Sequence, residues 1–502
     1  MTDRPDLVIR GGRLLAGPGR PPAPADIMVS GDTIAAIAAP GTPAPDDART
    51  IDATDRLIHA GLICGHTHGN TTFGKGQGDR WTLELLQTAG PWLGSSGKGF
   101  TLEERYLLAQ VGALEMLMKG CTSCFDMNAE FPAPSVAGMQ AVAQAYLDAG
   151  MRAVIAPMLA EYTLFEAVPG LMDAFPEDLR RQVGGVRLGS GEASLDGMRA
   201  VLADWPFDTD RVRLAMAPTI PHYCSDGFMQ ACARLAREHG LMIQSHVEES
   251  RLQAVASHRI YGRTQVAHMD ALGVLGPDFV AGHGVWLDDD DMRRLADRGA
   301  SIVINPGSNM RLGNGLPDSR RMLDFSINLA IGTDGAHCSD NLNMYEAMRT
   351  ASRGSRVQSL DTERWLSTAE VMRAATEGSA QALGLAGKVG RLEPGYKADL
   401  VLLRLDHVNW MPLNDATNQL VHAEDGTGVD TVMVGGRVVV ADRRPVGVDM
   451  TALMHRVEAA RARIAEMNRP VRALTERLAV VVNAFCPNLA REPYHVCRMC
   501  GD

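Results

Sequence analysis

From residue 57 onward, short apolar runs alternate with longer segments in which apolar positions recur at helical spacing. The runs are RLIHAGLICG, CTSCFDM, RAVIAPML, RVRLAMAPT, LMIQSH, FVAGHG, SIVINP and NLAIGTDG, starting at about residues 57, 121, 152, 211, 241, 279, 301 and 328. Short continuous apolarity of this kind suits strands covered on both faces, as in a parallel sheet. Between them, TLEERYLLAQVGALEMLMKG and DGFMQACARLAREHG read as helices closed by a glycine C-cap. Eight strand–helix repeats predict an α/β fold of the (β/α)8 TIM-barrel type rather than an open sheet.

The flanks follow another rhythm. DLVIRGGRLL and DIMVSGDTIAAI before the barrel, and KADLVLLRL and TVMVGGRVVVADRRP after it, are strand–turn–strand patterns with glycine at the turns. The two ends of the chain are therefore expected to meet in one small composite β-sandwich. Beyond residue 450, TALMHRVEAARARIAEMNRPVRALTERLAVVVNAF has helical periodicity, with a break expected at Pro470. The predicted organisation is residues 1–60 as the first part of the β-domain, 61–387 as the barrel, 388–449 as the second part, and 450–502 as a helical extension.

Composition narrows the function more than the fold. A chain of 502 residues with 45% hydrophobic and 22% charged positions is an ordinary globular enzyme in make-up. Its formal net charge of −11 argues against nonspecific binding to nucleic acid or an anionic membrane. No apolar run is long enough to cross a bilayer, and MTDRPDLVIR has no signal core. Nine cysteines beside 26 methionines point to a reducing, cytoplasmic setting rather than a disulfide scaffold.

In a barrel of this type the active site gathers where the strands end. LICGHTHGN places His66 and His68 two apart, so both imidazoles face one way if the run is a strand. SHVEES supplies His246, Glu248 and Glu249; AGHGVW supplies His283; GTDGAH supplies Asp334 and His337. Neutral imidazole and carboxylate suit one divalent ion, Zn2+ first and Fe2+ as the alternative, whose water becomes a source of hydroxide at neutral pH. His66, His68, His246 and Asp334 are the expected ligands. His283 is expected to orient or polarise the water, Asp334 to take its proton, and Glu249 to pass that proton to a leaving nitrogen.

Other motifs carry plainer expectations. GNTTFGKG, residues 69–76, nearly matches a phosphate loop, but Gly76 stands where Mg2+ coordination needs serine or threonine. It is expected to be a flexible glycine-rich lid. Cys121 and Cys124 read as buried small residues, Glu248 as a surface carboxylate, and DDDDM as a helix start. His222, His239, His258 and His268 read as surface or half-buried. Cys486, His495, Cys497 and Cys500 are candidates for a second, structural zinc site, although their spacing fits no standard finger; a plain reduced tail is expected.

These motifs together resemble the amidohydrolase superfamily, in its mononuclear aminohydrolase branch. The resemblance spans roughly residues 5–445 and is most specific at HTH, at SHVEES, and from GHGVWLDDDDM through INPGSNMRLGNG to GTDGAHCSDNLNMYEAMRTAS. It is nearest to deaminases of methylthioadenosine and S-adenosylhomocysteine and to s-triazine chloro- and aminohydrolases. GYKADLVLL and VMVGGRVV resemble the β-domain of that family, and no lysine suited to carboxylation ends the fourth strand. The resemblance implies hydrolytic deamination of an amino-substituted N-heterocycle, nucleobase-, pterin- or triazine-like. The alternative is amide, carbamate or urea hydrolysis at the same site. It also implies a small-molecule substrate and a homo-oligomer. Glu84 falls where a family glutamate holds ribose hydroxyls, but Leu86, Pro157 and Thr219 stand where an aromatic residue, an arginine and a purine-reading histidine are usual. Trp81, Glu84, Thr219, Asn309 and His337 are the expected substrate contacts. Some relatives of this fold have lost catalysis and serve as binding proteins; the full ligand set here argues against that reading.

Overall fold

The computed structural model describes residues 5–89, 99–184 and 186–499. Parallel strands stand where the apolar runs predict them. Leu62–Thr67, Cys121–Ala129, Arg152–Leu159 and a fourth strand split into Val212–Leu214 and Ala217–Pro218 form one sheet. Ile243–Val247, Phe279–His283, Ser301–Ile304 and Asn328–Ile331 form the other. The sheets touch at two edges. Met216 bridges Ile243, with Gln244 N donating to Met216 O at 2.9 Å. At the far edge Asp334 N donates to His66 O at 3.0 Å. This is the arrangement of TIM-barrel proteins, with the chemistry-bearing residues at the carboxyl ends of the strands.

One predicted run divides. RLIHAGLICG is two strands, because Arg56–Ala60 pairs antiparallel with Leu400–Arg404 and only Leu62–Thr67 enters the parallel sheet. Gly61 marks the crossing: a Cβ there would lie 2.2 Å from Thr122 Oγ1, so a side chain would push the two sheets apart. Arg56–Ala60 joins a nine-stranded sheet drawn from both flanks, in which Leu7–Leu14, Ala23–Ser30 and Thr33–Ala38 lie on one side and Leu400–Arg404, Val429–Val434 and Arg437–Ala441 on the other. Ile9, Ile27, Ile58, Leu400 and Leu402 form its core. Arg152 fastens it to the parallel strands through a buried two-pronged pair with Asp399, at 2.7 and 3.2 Å.

The last helix, Met450–Ala490, runs through both Pro470 and Pro487. The break expected at Pro470 is absent. A proline removes one N–H donor and crowds the preceding turn, and a helix of 41 residues anchored by packing absorbs that local loss. Its Leu478, Val482, Cys486 and Leu489 pack on Phe165, Leu171, Phe175 and Leu252, beside the loops that follow strands three and five. Among the described residues no helix is long and apolar enough to cross a membrane.

Candidate metal centre and active site

Three imidazoles are pinned by the same device. His68 Nδ1 lies 2.7 Å from Met127 O, His246 Nδ1 lies 2.5 Å from Thr219 O, and His66 Nδ1 lies 2.7 Å from Gln244 Oε1. A carbonyl oxygen only accepts, so each Nδ1 carries the proton. Gln244 is oriented by its own amide, which donates to Gly65 O at 3.0 Å. Each Nε2 is therefore a bare lone pair aimed inward. His246 Nε2 and His68 Nε2 face one another at 3.2 Å, and His66 Nε2 is buried with no hydrogen-bond partner. Lone pairs so placed repel unless a cation lies among them. Asp334 Oδ1 stands 3.7 Å from His66 Nε2 and 3.5 Å from His68 Nε2. His66, His68 and His246, and separately His66, His283 and Asp334, offer donor atoms within 4.8 Å of one another. These residues fit a divalent ion.

The electrostatics agree. Burial, then the neighbouring imidazole of His66, pushes the His68 pKa down to about 3. His246 is likewise held well below its ordinary value by burial and its histidine neighbours. Neutral imidazoles are the form that ligates. Burial alone would raise Asp334, yet the imidazoles of His66, His283 and His68 around it hold it well below the usual carboxylate range. Glu249 goes the other way: burial first, then the charges of Asp334 and Glu84, push it well above. His283 Nε2 lies between them, 3.7 Å from Glu249 Oε2 and 3.8 Å from Asp334 Oδ2. His283 and Asp334 adopt left-handed backbone, φ 70° and 62°, as does Glu248 at 46°. Such strain in non-glycine residues gathers where side-chain aim matters more than backbone comfort.

A cavity opens from this cluster, walled by His68, His246, Glu249, His283, Asp334 and His337 at its floor. Thr219 and His337 line it, and His337 Nδ1 is buried without a hydrogen-bond partner. Three other expected substrate contacts are placed elsewhere. Asn309 is fully buried, with Oδ1 2.8 Å from His283 Nδ1, so it orients that ring rather than meeting a ligand. Glu84 accepts from Ser250 Oγ at 3.1 Å and does not line the cavity. Trp81 packs over Gly78, also off the cavity wall. For Trp81 and Glu84, residues two or three positions further along the chain line the cavity instead: Leu83, Leu86 and Gln87.

Other expectations change as well. Residues 69–74 form a short 3-10 turn whose Asn70 and Thr71 are buried in the cavity wall, not an open lid, and Lys75 is engaged by Glu115. Glu248 is wholly buried, its Oε1 accepting from Gln265 N at 2.8 Å. His222 is buried too, 2.9 Å from Ser257 Oγ. In the tail, His495 pairs with Asp288 at 2.7 Å and Cys486 is packed in the apolar cluster under the last helix. Among the described residues no ligand group gathers Cys486, His495 and Cys497; Cys500 lies outside them. Gln244 and Asn314 were not singled out by the sequence. Asn314 Nδ2 donates to Glu249 Oε1 at 3.1 Å. Gln244 had a signal, since it precedes His246 by two in a strand and so shares its face.

Residues 57–439 match the model of the amidohydrolase family. A 5-methylthioadenosine/S-adenosylhomocysteine deaminase of Thermococcus onnurineus is 30% identical over 439 residues, covering 87% of this chain and 94% of that protein. A 5'-deoxyadenosine deaminase of Methanothermobacter thermautotrophicus is 31% identical over 444 residues, covering 87% and 94%. Among solved structures, a zinc-bound adenosine deaminase from Xanthomonas campestris superposes with TM-score 0.80 at 25% identity, over 92% of this chain and 99% of that one. The zinc complex of atrazine chlorohydrolase from Arthrobacter aurescens gives 0.79 at 26%, over 91% and 100%. With the family model covering most of its length, this chain belongs to the amidohydrolase family.

Proposed function

We propose that this protein is a mononuclear, metal-dependent aminohydrolase that replaces an amino group on an N-heterocycle with oxygen from water. The observation that carries the reading is the set of three inward, proton-free Nε2 atoms beside an ionised Asp334 and a raised Glu249. His66, His68, His246 and Asp334 would hold the ion. Zn2+ is our choice, in keeping with the zinc-bound neighbours, with Fe2+ as the alternative that the same donors accept. When bound, such an ion supplies Lewis acidity that makes hydroxide available near neutral pH.

The chain's own groups do the remaining work. Asp334, ionised at neutral pH, accepts the proton of the attacking water. His283, its Nδ1 proton given to Asn309, presents Nε2 as an acceptor that orients that water. Glu249, held protonated by its surroundings, delivers a proton to the departing nitrogen, so that ammonia leaves and a carbonyl remains. Further out, the cavity wall includes Leu83, Leu86, Phe131, Met158, Leu164 and Leu188, with no lysine or arginine among the described lining residues. That wall suits an uncharged substrate bearing an apolar arm. Its polar features include Thr219, His337 and the Gln87–Tyr223 pair, whose hydroxyl and amide oxygen lie 2.8 Å apart.

The same reading takes residues 61–387 as a closed (β/α)8 barrel, 1–60 and 388–449 as a composite β-sandwich, and 450–502 as a helical extension. The buried, unpaired thiols are in keeping with a cytoplasmic setting, and the same reading takes the protein as a homo-oligomer. The test is ammonia release from zinc-loaded protein over nucleobase-, pterin- and triazine-type amino-heterocycles, with amides, carbamates and ureas in parallel. Release from a heterocycle, lost on chelation and restored by Zn2+, is the expected result. Turnover confined to the acyclic panel would overturn deamination, and full turnover by chelated protein would overturn the metal's role.

A further inference from the structure

Beyond the last helix, residues 491–499 lie against the loops that follow strands six and seven. Arg498 sits at their junction. Its Nε donates to Val285 O at 3.1 Å and its Nη2 to Leu287 O at 2.8 Å. Its own carbonyl accepts from Leu316 N at 2.9 Å. Gly315 makes room for that approach: its φ is 107°, and a Cβ there would come within 2.8 Å of Arg498 O. One tail residue thus staples segment 285–287 to segment 315–316. Tyr494, with its ring centroid 6.2 Å from that of Trp286, and the His495–Asp288 pair hold the tail on either side.

Both stapled segments lead to the reacting groups. Trp286 Nε1 donates to Asn314 O at 2.8 Å, and Asn314 N donates to Asn309 O at 2.8 Å. Asn314 Nδ2 then reaches Glu249 Oε1 at 3.1 Å, while Asn309 Oδ1 holds His283 Nδ1 at 2.8 Å. The tail itself lies outside the residues that match the family model.

We propose that Arg498 is a positioning residue: by stapling these two loops it keeps the Asn314 amide on the Glu249 carboxyl and so fixes the direction of proton delivery. The inference rests on the proposed role of Glu249. The guanidinium grips the 285–287 segment through two carbonyls at once, which arginine's rigid fork of donors allows and lysine's single ammonium does not. That grip holds the main-chain carbonyl of Arg498 on Leu316 N. A small loosening of a proton donor is costly in rate, since productive geometry tolerates little misplacement.

The test uses the full, zinc-loaded chain. In hydrogen exchange, Arg498→Ala should speed the amides of residues 309–316 by about tenfold or more while leaving the strand Arg152–Leu159 unchanged, because local protection follows local contacts. Unchanged exchange at 309–316 would overturn the staple. In turnover of the heterocycle that releases ammonia fastest, Arg498→Ala and Asn314→Ala should each lower kcat by about tenfold, and the double variant no further than the worse single, as expected when one residue acts through the other. Arg498→Lys should recover part of the loss. Multiplying effects would overturn the positioning route. If Glu249→Gln leaves kcat unaltered, the reading of Glu249 fails and the positioning role falls with it; the staple still stands or falls on exchange.

Discussion

Glu249 and Asp334 are both buried carboxyls, yet their surroundings drive them in opposite directions. Asp334 faces the imidazoles of His66, His283 and His68, which outweigh burial; Glu249 faces burial and other carboxylates. Two such groups with pKa values pushed apart divide acid and base duties between them. Glu249→Gln should keep the metal, because Glu249 is outside the ligand cluster, while kcat falls by ~10²–10⁴. Metal analysis beside steady-state kinetics checks both halves, and an unaltered kcat would remove Glu249 from the chemistry. His66, His68, His246, His283, Glu249 and Asp334 were all legible as residues, because each ends a strand whose apolar run is plain. Their supporting partners were less so. Asn314 lies 65 positions from Glu249, and no local pattern links the two.

At the scale of elements, the last helix shows how packing overrides local signals. Pro470 and Pro487 each weaken a turn, but neither ends the helix. Leu478 is wholly buried against the apolar cluster formed by the segments after strands three and five. Leu478→Ala should cost roughly 2–5 kcal/mol, as large-to-small changes in a packed site do. A urea midpoint measured on the full chain reads this directly, and a loss below ~0.5 kcal/mol would show that the helix is not an integral part of the core. The same cluster contains Leu164, Ile220 and Tyr223, which line the cavity, so KM should rise with the variant while kcat changes little.

At the scale of the molecule, acid should be the main stress. His59 is buried at the seam of the two sheets, 3.0 Å from Tyr345 Oη, and burial lowers its pKa to about 4. His222, buried beside Ser257, is lowered to about 3. In the unfolded chain both return to about 6.5, so the unfolded state binds more protons below that pH. Their contribution is therefore full above pH ~6.5 and is lost as pH falls towards ~4, at about 1.4 kcal/mol per pH unit for each group. Chelated protein should unfold at lower urea at pH 5 than at pH 7, and His59→Asn should lose less over that interval than the parent chain. An equal loss would show that His59 does not carry a proton-linked share of stability.

The sequence by itself determined the eight apolar runs that supply the parallel strands, their succession and the residues that end them, because apolar periodicity and strand-end chemistry are local properties of the chain. It also carried the meeting of the two flanks, since hairpin patterns at both ends leave unpaired edges that need each other. Only the tertiary structure decided that Asn309 serves His283, that Glu84 accepts from Ser250 and Trp81 packs over Gly78, and that Arg498 reaches back to the loops of strands six and seven. Those contacts depend on where loops distant in the chain come to rest. A loop's rest position is set by packing against other loops, and no periodicity in its own residues records it.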